Sequence, residues 1–100
     1  MITLEPRYLD RVTTILSREI GTTPAQVYLF GSRVGNKVRP ASDIDLAVSA
    51  VKNEIGLVSR LREAFEESTI PYSTDVISLS TANKAFCSTV QKEGVLIWKS

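Results

Sequence analysis

Apolar side chains recur along this chain with two different spacings, and each change of spacing marks an element. Leu9, Val12, Leu16 and Ile20 fall three or four apart, with Arg7, Asp10, Arg11, Arg18 and Glu19 on the other faces; this is the period of a helix with one buried stripe. Pro6 is tolerated in a first helical turn and Gly21 suits a helix end, so a helix is predicted from about 5 to 20. After Thr22-Thr23-Pro24, Gln26 to Phe30 reads as a buried strand, and a second strand is predicted from Asp43 to about Ala50. The helical period returns with Ile55, Val58, Leu61, Ala64 and Phe65, with Asn53 as its N-cap and Pro71 where the chain has left the helix. Ser73 to Leu79 alternates and is rich in β-formers, which predicts a third strand. Ser80 or Thr81 is expected to cap a third helix that carries Ala82, Phe86 and Val90 on its apolar face and stops at Gly94; Val95-Leu96-Ile97-Trp98 is a short last strand. The predicted order is α-β-β-α-β-α-β, a mixed α/β (α+β) layer architecture in one domain spanning 1–100.

The connections between these elements gather polar residues at one place. A short polar segment joins the first two strands, so they most simply pair antiparallel. Gly31-Ser32, at the end of the first strand, then lies beside Asp43-Ile44-Asp45 at the start of the second. Side chains alternate along a strand, so Asp43 and Asp45 point the same way. A helix joins the second and third strands, which favours a parallel crossover and sets Asp75 level with the start of the second strand. Three carboxylates and a Gly-Ser turn are thus expected at one edge of the sheet.

Composition narrows the chemistry. One hundred residues suffice for one modest core. Lys plus Arg number 12 against 11 Asp plus Glu, a formal charge of +1, so no direct nucleic-acid binding and no anionic-membrane attraction is expected. Apolar runs of about five residues fall far short of the roughly 20 that span a bilayer, and Met1 to Arg7 lacks a signal-peptide pattern. The single cysteine, Cys87, fits a reducing cytoplasm. Histidine is absent, which removes His-based metal sites and histidine general bases. Any bound metal must be held by oxygen and would be a hard ion such as magnesium.

Three carboxylates held together repel one another, and a divalent cation is the cheapest remedy. Two magnesium ions bridged by an Asp-x-Asp pair can clamp both the attacking and the leaving oxygens of a phosphoryl displacement. The backbone N–H groups of Gly31-Ser32 suit terminal phosphates, because glycine permits close backbone approach. Arg33, Lys37 or Arg39 is available to neutralise triphosphate charge.

Gly31-Ser32, ten residues, then Asp43-x-Asp45 resembles the G-S-x10-D-x-D signature of the DNA polymerase β-like nucleotidyltransferases. The wording G-S-R…R-P-x-S-D-I-D-L-A-V and the small size resemble the minimal nucleotidyltransferase (MNT) branch. The resemblance implies that Asp43, Asp45 and Asp75 bind two Mg2+ ions and that Gly31 and Ser32 hold the nucleotide phosphates. It implies transfer of a nucleoside monophosphate, from ATP or another nucleoside triphosphate, to an acceptor hydroxyl with release of pyrophosphate. MNT proteins of this size resemble the antitoxin half of toxin-antitoxin pairs whose partner is a small helical HEPN protein; characterised members add AMP to a tyrosine of that partner. A hetero-oligomer with a HEPN protein is therefore the implied assembly. The chain departs from the family inside the loop, where relatives commonly carry arginine then glycine at the places of Gly35 and Asn36. That departure keeps open the reading of a non-catalytic antitoxin that docks on its toxin, and a small-molecule nucleotidyltransferase subunit is a further reading.

The remaining candidates read as ordinary structure. Ser32 has no histidine to activate it as a nucleophile, Cys87 is expected to pack, and Tyr72 and Trp98 are read as packing residues. Glu54, Glu63, Glu66 and Glu67 read as a solvated helix face without a role.

Overall fold

The computed structural model describes residues 4–31 and 43–100. Pro6 opens the first helix, α1 (Pro6–Ile20), and the Gly21 N–H closes it by donating to Ser17 O at 3.0 Å. Its buried stripe is Val12, Ile15, Leu16 and Ile20. β1 (Ala25–Phe30) alternates: Ala25, Val27 and Leu29 are buried, while Gln26, Tyr28 and Phe30 are half-buried. Then come β2 (Ile44–Ala50), α2 (Glu54–Glu66), β3 (Thr74–Ser78), α3 (Lys84–Glu93) and β4 (Val95–Lys99). The chain is a mixed α/β fold in which the sheet runs β3-β2-β1-β4.

Pairing follows the expected logic. β1 and β2 are antiparallel, with Phe30 opposite Asp45. β2 and β3 are parallel across the α2 crossover, with Asp45 opposite Asp75. β4 returns antiparallel to β1, with a register shift between Val27 and Tyr28. Leu29, Ile44, Leu46, Val48 and Val76 form one core with Leu16 of α1 and Leu61 of α2. Side chains one residue off, including Phe30, Asp45, Ala47 and Asp75, therefore stand on the opposite face. α3 covers part of that face: Phe86 meets Phe30 edge-on at 5.3 Å between ring centroids, and Val90 is buried.

Four details differ from the sequence expectation. Ile55, expected on the apolar stripe of α2, is 63% exposed; the buried stripe is Leu57, Val58, Leu61 and Phe65, and Ile55 lies to one side of it. Asn53 precedes α2 in a left-handed conformation (φ 49°) and makes no side-chain cap. Neither Ser80 nor Thr81 caps α3, and Ala82 lies ahead of that helix; Asn83 is the cap, its Oδ1 accepting from Phe86 N–H at 2.8 Å. Thr81 instead turns back onto Ser78 O.

The fourth concerns Glu54, which binds three segments together rather than standing in solvent. Its Oε1 accepts from Ala50 N–H at 2.8 Å, at the end of β2. Its Oε2 accepts from Ser80 N–H at 2.8 Å and from the Ser78 hydroxyl, at the end of β3. Burial alone would raise the carboxyl's pKa, but the hydrogen bonds from Ser78, Ser80 and Ala50 outweigh it and hold the group below its ordinary value. Glu54→Gln is expected to cost about 1 kcal/mol, the worth of charge-assisted bonds discounted for partial exposure. That corresponds to a fall in Tm of roughly 4–8 °C. Because the folded pKa is lowered, this stability is present above the unfolded value of 4.5 and is lost as pH falls through the folded one. Melts of both proteins from neutral to acid pH should therefore converge; a constant gap would show that the charge is not the cause.

Candidate active site

The site begins with how β2 starts. Ile44 is fully buried, and its N–H donates to Ser73 O at 2.8 Å, which fixes the first residue of the strand in the core. Asp43 is left just outside, exposed, and Asp45 is turned to the opposite face, half-buried. The parallel register then sets exposed Asp75 beside Asp45, and the antiparallel register sets Phe30 on its other side. Phe30, Asp45 and Asp75 form a row across three strands, where β1 ends and β2 and β3 begin.

Gly31 follows Phe30 with φ 76°, a conformation that side chains disfavour. A Cβ at this position would collide with Asp45 Oδ2. The backbone of the turn and the carboxylate of β2 are therefore in immediate contact, and the space between them exists because residue 31 is glycine.

Electrostatics single out Asp45. Burial raises its pKa above the ordinary carboxylate value, and the charges of Asp75 and Asp43 push it further the same way. No residue placed against it among the described ones supplies compensating positive charge. The described residues contain no group of three or more His, Cys, Asp or Glu already closed around a metal position. The donor chemistry nevertheless fits magnesium, which takes one or two carboxylates and completes its shell with water and substrate oxygens. A desolvated carboxylate flanked by two others is a place where a divalent cation relieves strain.

The structure thus brings Gly31, Asp43, Asp45 and Asp75 together. Ser32, Arg33, Lys37 and Arg39 lie outside the described residues. Sequence reasoning missed the Phe30–Phe86 pair that seats α3 against the end of β1. It also missed Arg62, whose Nε donates to Val76 O at 2.9 Å, in the middle of β3. Phe86 carried a signal in its helical spacing; Arg62 carried none, because its partner is a main-chain oxygen. Among the described residues, no helix is long and apolar enough to cross a membrane.

Comparison with known proteins agrees with this geometry. Residues 11–100 match the family model described as polymerase beta, nucleotidyltransferase. The chain is similar to a probable protein adenylyltransferase, MntA, of Haemophilus influenzae, at 38% identity over 72 residues. The match covers 71% of this chain and 63% of that relative's length. Among solved structures, a toxin-antitoxin complex with AMP-PNP contains a chain similar to this one, with a TM-score of 0.65 and 26% identity. That likeness covers 92% of this chain and 73% of the other. A complex of the tri-AMPylated Shewanella oneidensis HEPN toxin with its MNT antitoxin shares the fold, with a TM-score of 0.61 at 24% identity; the likeness covers 97% of this chain and 74% of that one.

Proposed function

Since the chain belongs to the polymerase beta nucleotidyltransferase family, we propose that it transfers AMP from ATP to a hydroxyl of a protein partner, a HEPN toxin, and thereby acts as the antitoxin of the pair. The observation that carries this reading is the contact between Gly31 and Asp45 in a row that continues to Asp75. It sets Gly31 against the middle one of three carboxylates at the end of the sheet where β1 stops and β2 and β3 begin, which suits a nucleotide on one side and an acceptor on the other. The similarity to the Haemophilus adenylyltransferase and to the toxin-antitoxin complex with AMP-PNP supports the same chemistry.

In this reading Asp43, Asp45 and Asp75 would hold two Mg2+ ions, and Gly31 would leave room for the phosphates. Bound magnesium would supply positive charge to the phosphates and to the attacking oxygen. Asp75 stands on the side away from Gly31, toward the incoming acceptor. It orients the hydroxyl, a tyrosine of the partner, and receives its proton as the new O–P bond forms. The bond between the α- and β-phosphates breaks in line, and pyrophosphate leaves on the Gly31 side. Ser32, Arg33, Lys37 and Arg39 complete the phosphate side, and the whole operates in the cytoplasm as a complex with its partner.

The test is transfer from α-labelled ATP to a HEPN protein that forms a complex with this chain, in the presence of magnesium. Label on the partner is expected, with loss of signal on chelation by EDTA and in the double variant Asp43→Asn, Asp45→Asn. Absence of label with any triphosphate, alongside a stable complex, would replace this reading with a docking antitoxin.

A further inference from the structure

β3 is an edge strand of the sheet, and its outer side is not plain surface. Ile44 N–H donates to Ser73 O at 2.8 Å, and Leu79 N–H donates to Val48 O at 2.9 Å. In a parallel ladder the two main-chain groups of each residue point the same way, alternating along the strand. Thr74 and Val76 therefore direct their N–H and C=O groups away from β2, out of the sheet. Val76 O is occupied by Arg62 Nε at 2.9 Å. The Thr74 hydroxyl is buried and has no hydrogen-bond partner. Along this edge runs a groove of about 490 Å³, walled by Arg62, Phe65, Glu66, Tyr72, Thr74 and Asp75. Asp75, the residue that stands beside Asp45, is part of its wall.

Two further facts give the groove a chemistry. Its arginine donates through Nε to a main-chain oxygen, and no carboxylate pairs with it among the described residues. Glu66 lies one turn along α2 from Arg62 and forms no ion pair with it. A guanidinium fixed through Nε keeps its two Nη groups for an incoming acceptor of hydrogen bonds, carboxylate above all.

We propose that this edge of β3 is the acceptor cradle: an extended segment of the partner protein lies along Thr74, sets its acceptor hydroxyl beside Asp75 and rests an acidic side chain on Arg62. Strand geometry makes the parts consistent. In a strand added to this edge, the residue across from Asp75 carries its side chain on the face of Asp45 and Asp75. The residues on either side of it carry theirs on the α2 face, where Arg62 lies. A hydroxyl and an acid at adjacent positions of one extended segment thus meet Asp75 and Arg62 together. The inference rests on the transferase reading for the identity of the hydroxyl, but the docking itself is testable without transfer.

The experiment places the photo-cross-linker p-benzoylphenylalanine at Glu66 of the full chain, in complex with its partner and without ATP. Cross-links are expected in a segment of the partner where a hydroxyl residue and an acidic residue are neighbours, within about three residues of that hydroxyl, the reach of one added strand. Cross-links to another region of the partner, to a second copy of this chain, or none in an intact complex, would overturn the proposal. In the transfer assay, Arg62→Glu should raise the KM for the partner by about tenfold or more while the KM for ATP stays within about twofold. Arg62→Gln should fall between, and replacing the partner's acid by arginine should restore Arg62→Glu. An unchanged partner KM in both variants would overturn the proposal, as would failure of the charge swap. If the unaltered protein transfers nothing, the transferase reading falls, and the cross-link position still decides the docking.

Discussion

Asp45→Asn is expected to lower nucleotidyl transfer by at least about 10²–10³-fold, the typical effect of removing one electrostatic stabiliser, while leaving Tm at neutral pH equal to or above that of the unaltered protein. The two halves have one cause. Asp45 is half-buried between Asp43 and Asp75, and burial followed by those two charges raises its pKa. A carboxylate whose folded pKa is raised contributes stability that is fully present below its unfolded value, 3.8, and is lost as pH rises through the folded value. At neutral pH its charge is therefore a cost that the fold carries, and asparagine removes the charge while keeping the shape. Thermal melts across pH check the sign: the variant should gain on the unaltered protein as pH rises from 3.5 to 8. Magnesium should reverse the order, since it raises the Tm of the protein that binds it and not of the other. A variant less stable at neutral pH, without magnesium, would refute this account of the site.

Gly31→Ala is expected to combine a moderate loss of stability with a large loss of activity. At φ 76° an alanine costs about 1–2 kcal/mol of backbone strain, a fall in Tm of roughly 4–16 °C. Its methyl group would also collide with Asp45 Oδ2. The carboxylate must rotate away, and misplacement by about 1 Å is worth about 10²-fold in rate. Gly31→Asn separates the two effects, because asparagine tolerates a left-handed backbone yet brings the same Cβ. It should recover part of the Tm and none of the rate. Recovery of both would show that strain alone, and not the contact with Asp45, makes glycine necessary.

The elements were legible because most of them face one core. The spacing of Val12, Leu16 and Ile20 and the alternation of Ser73 to Leu79 report burial on a single face, and burial is what apolar periodicity encodes. The place of Asp75 beside Asp45 was legible for another reason, because the helix between the second and third strands called for a parallel crossover that sets the two strand starts level. Ile55 was misread because an apolar residue in a first turn satisfies a spacing rule without facing the core. Glu54 and Arg62 were not legible at all. Their partners are main-chain groups or serines distant in the chain, and no side-chain pattern announces a hydrogen bond to a backbone oxygen. The cap of α3 moved from Ser80 or Thr81 to Asn83 because Glu54 and Ser78 had already engaged the earlier residues.

Glu54 has a consequence for accuracy at the opposite end of the sheet. β2 and β3 touch Asp45 to Asp75 at one end, and at the other Glu54 grips Ala50 and the Ser78–Ser80 turn. Side chains alternate, so sliding β3 by one residue would swing Asp75 into the apolar face and present Thr74 or Val76 to Asp45. Glu54 measures the two strands off against each other as a ruler would. Loosening it would raise the proportion of molecules that fold completely and carry a misassembled acid row.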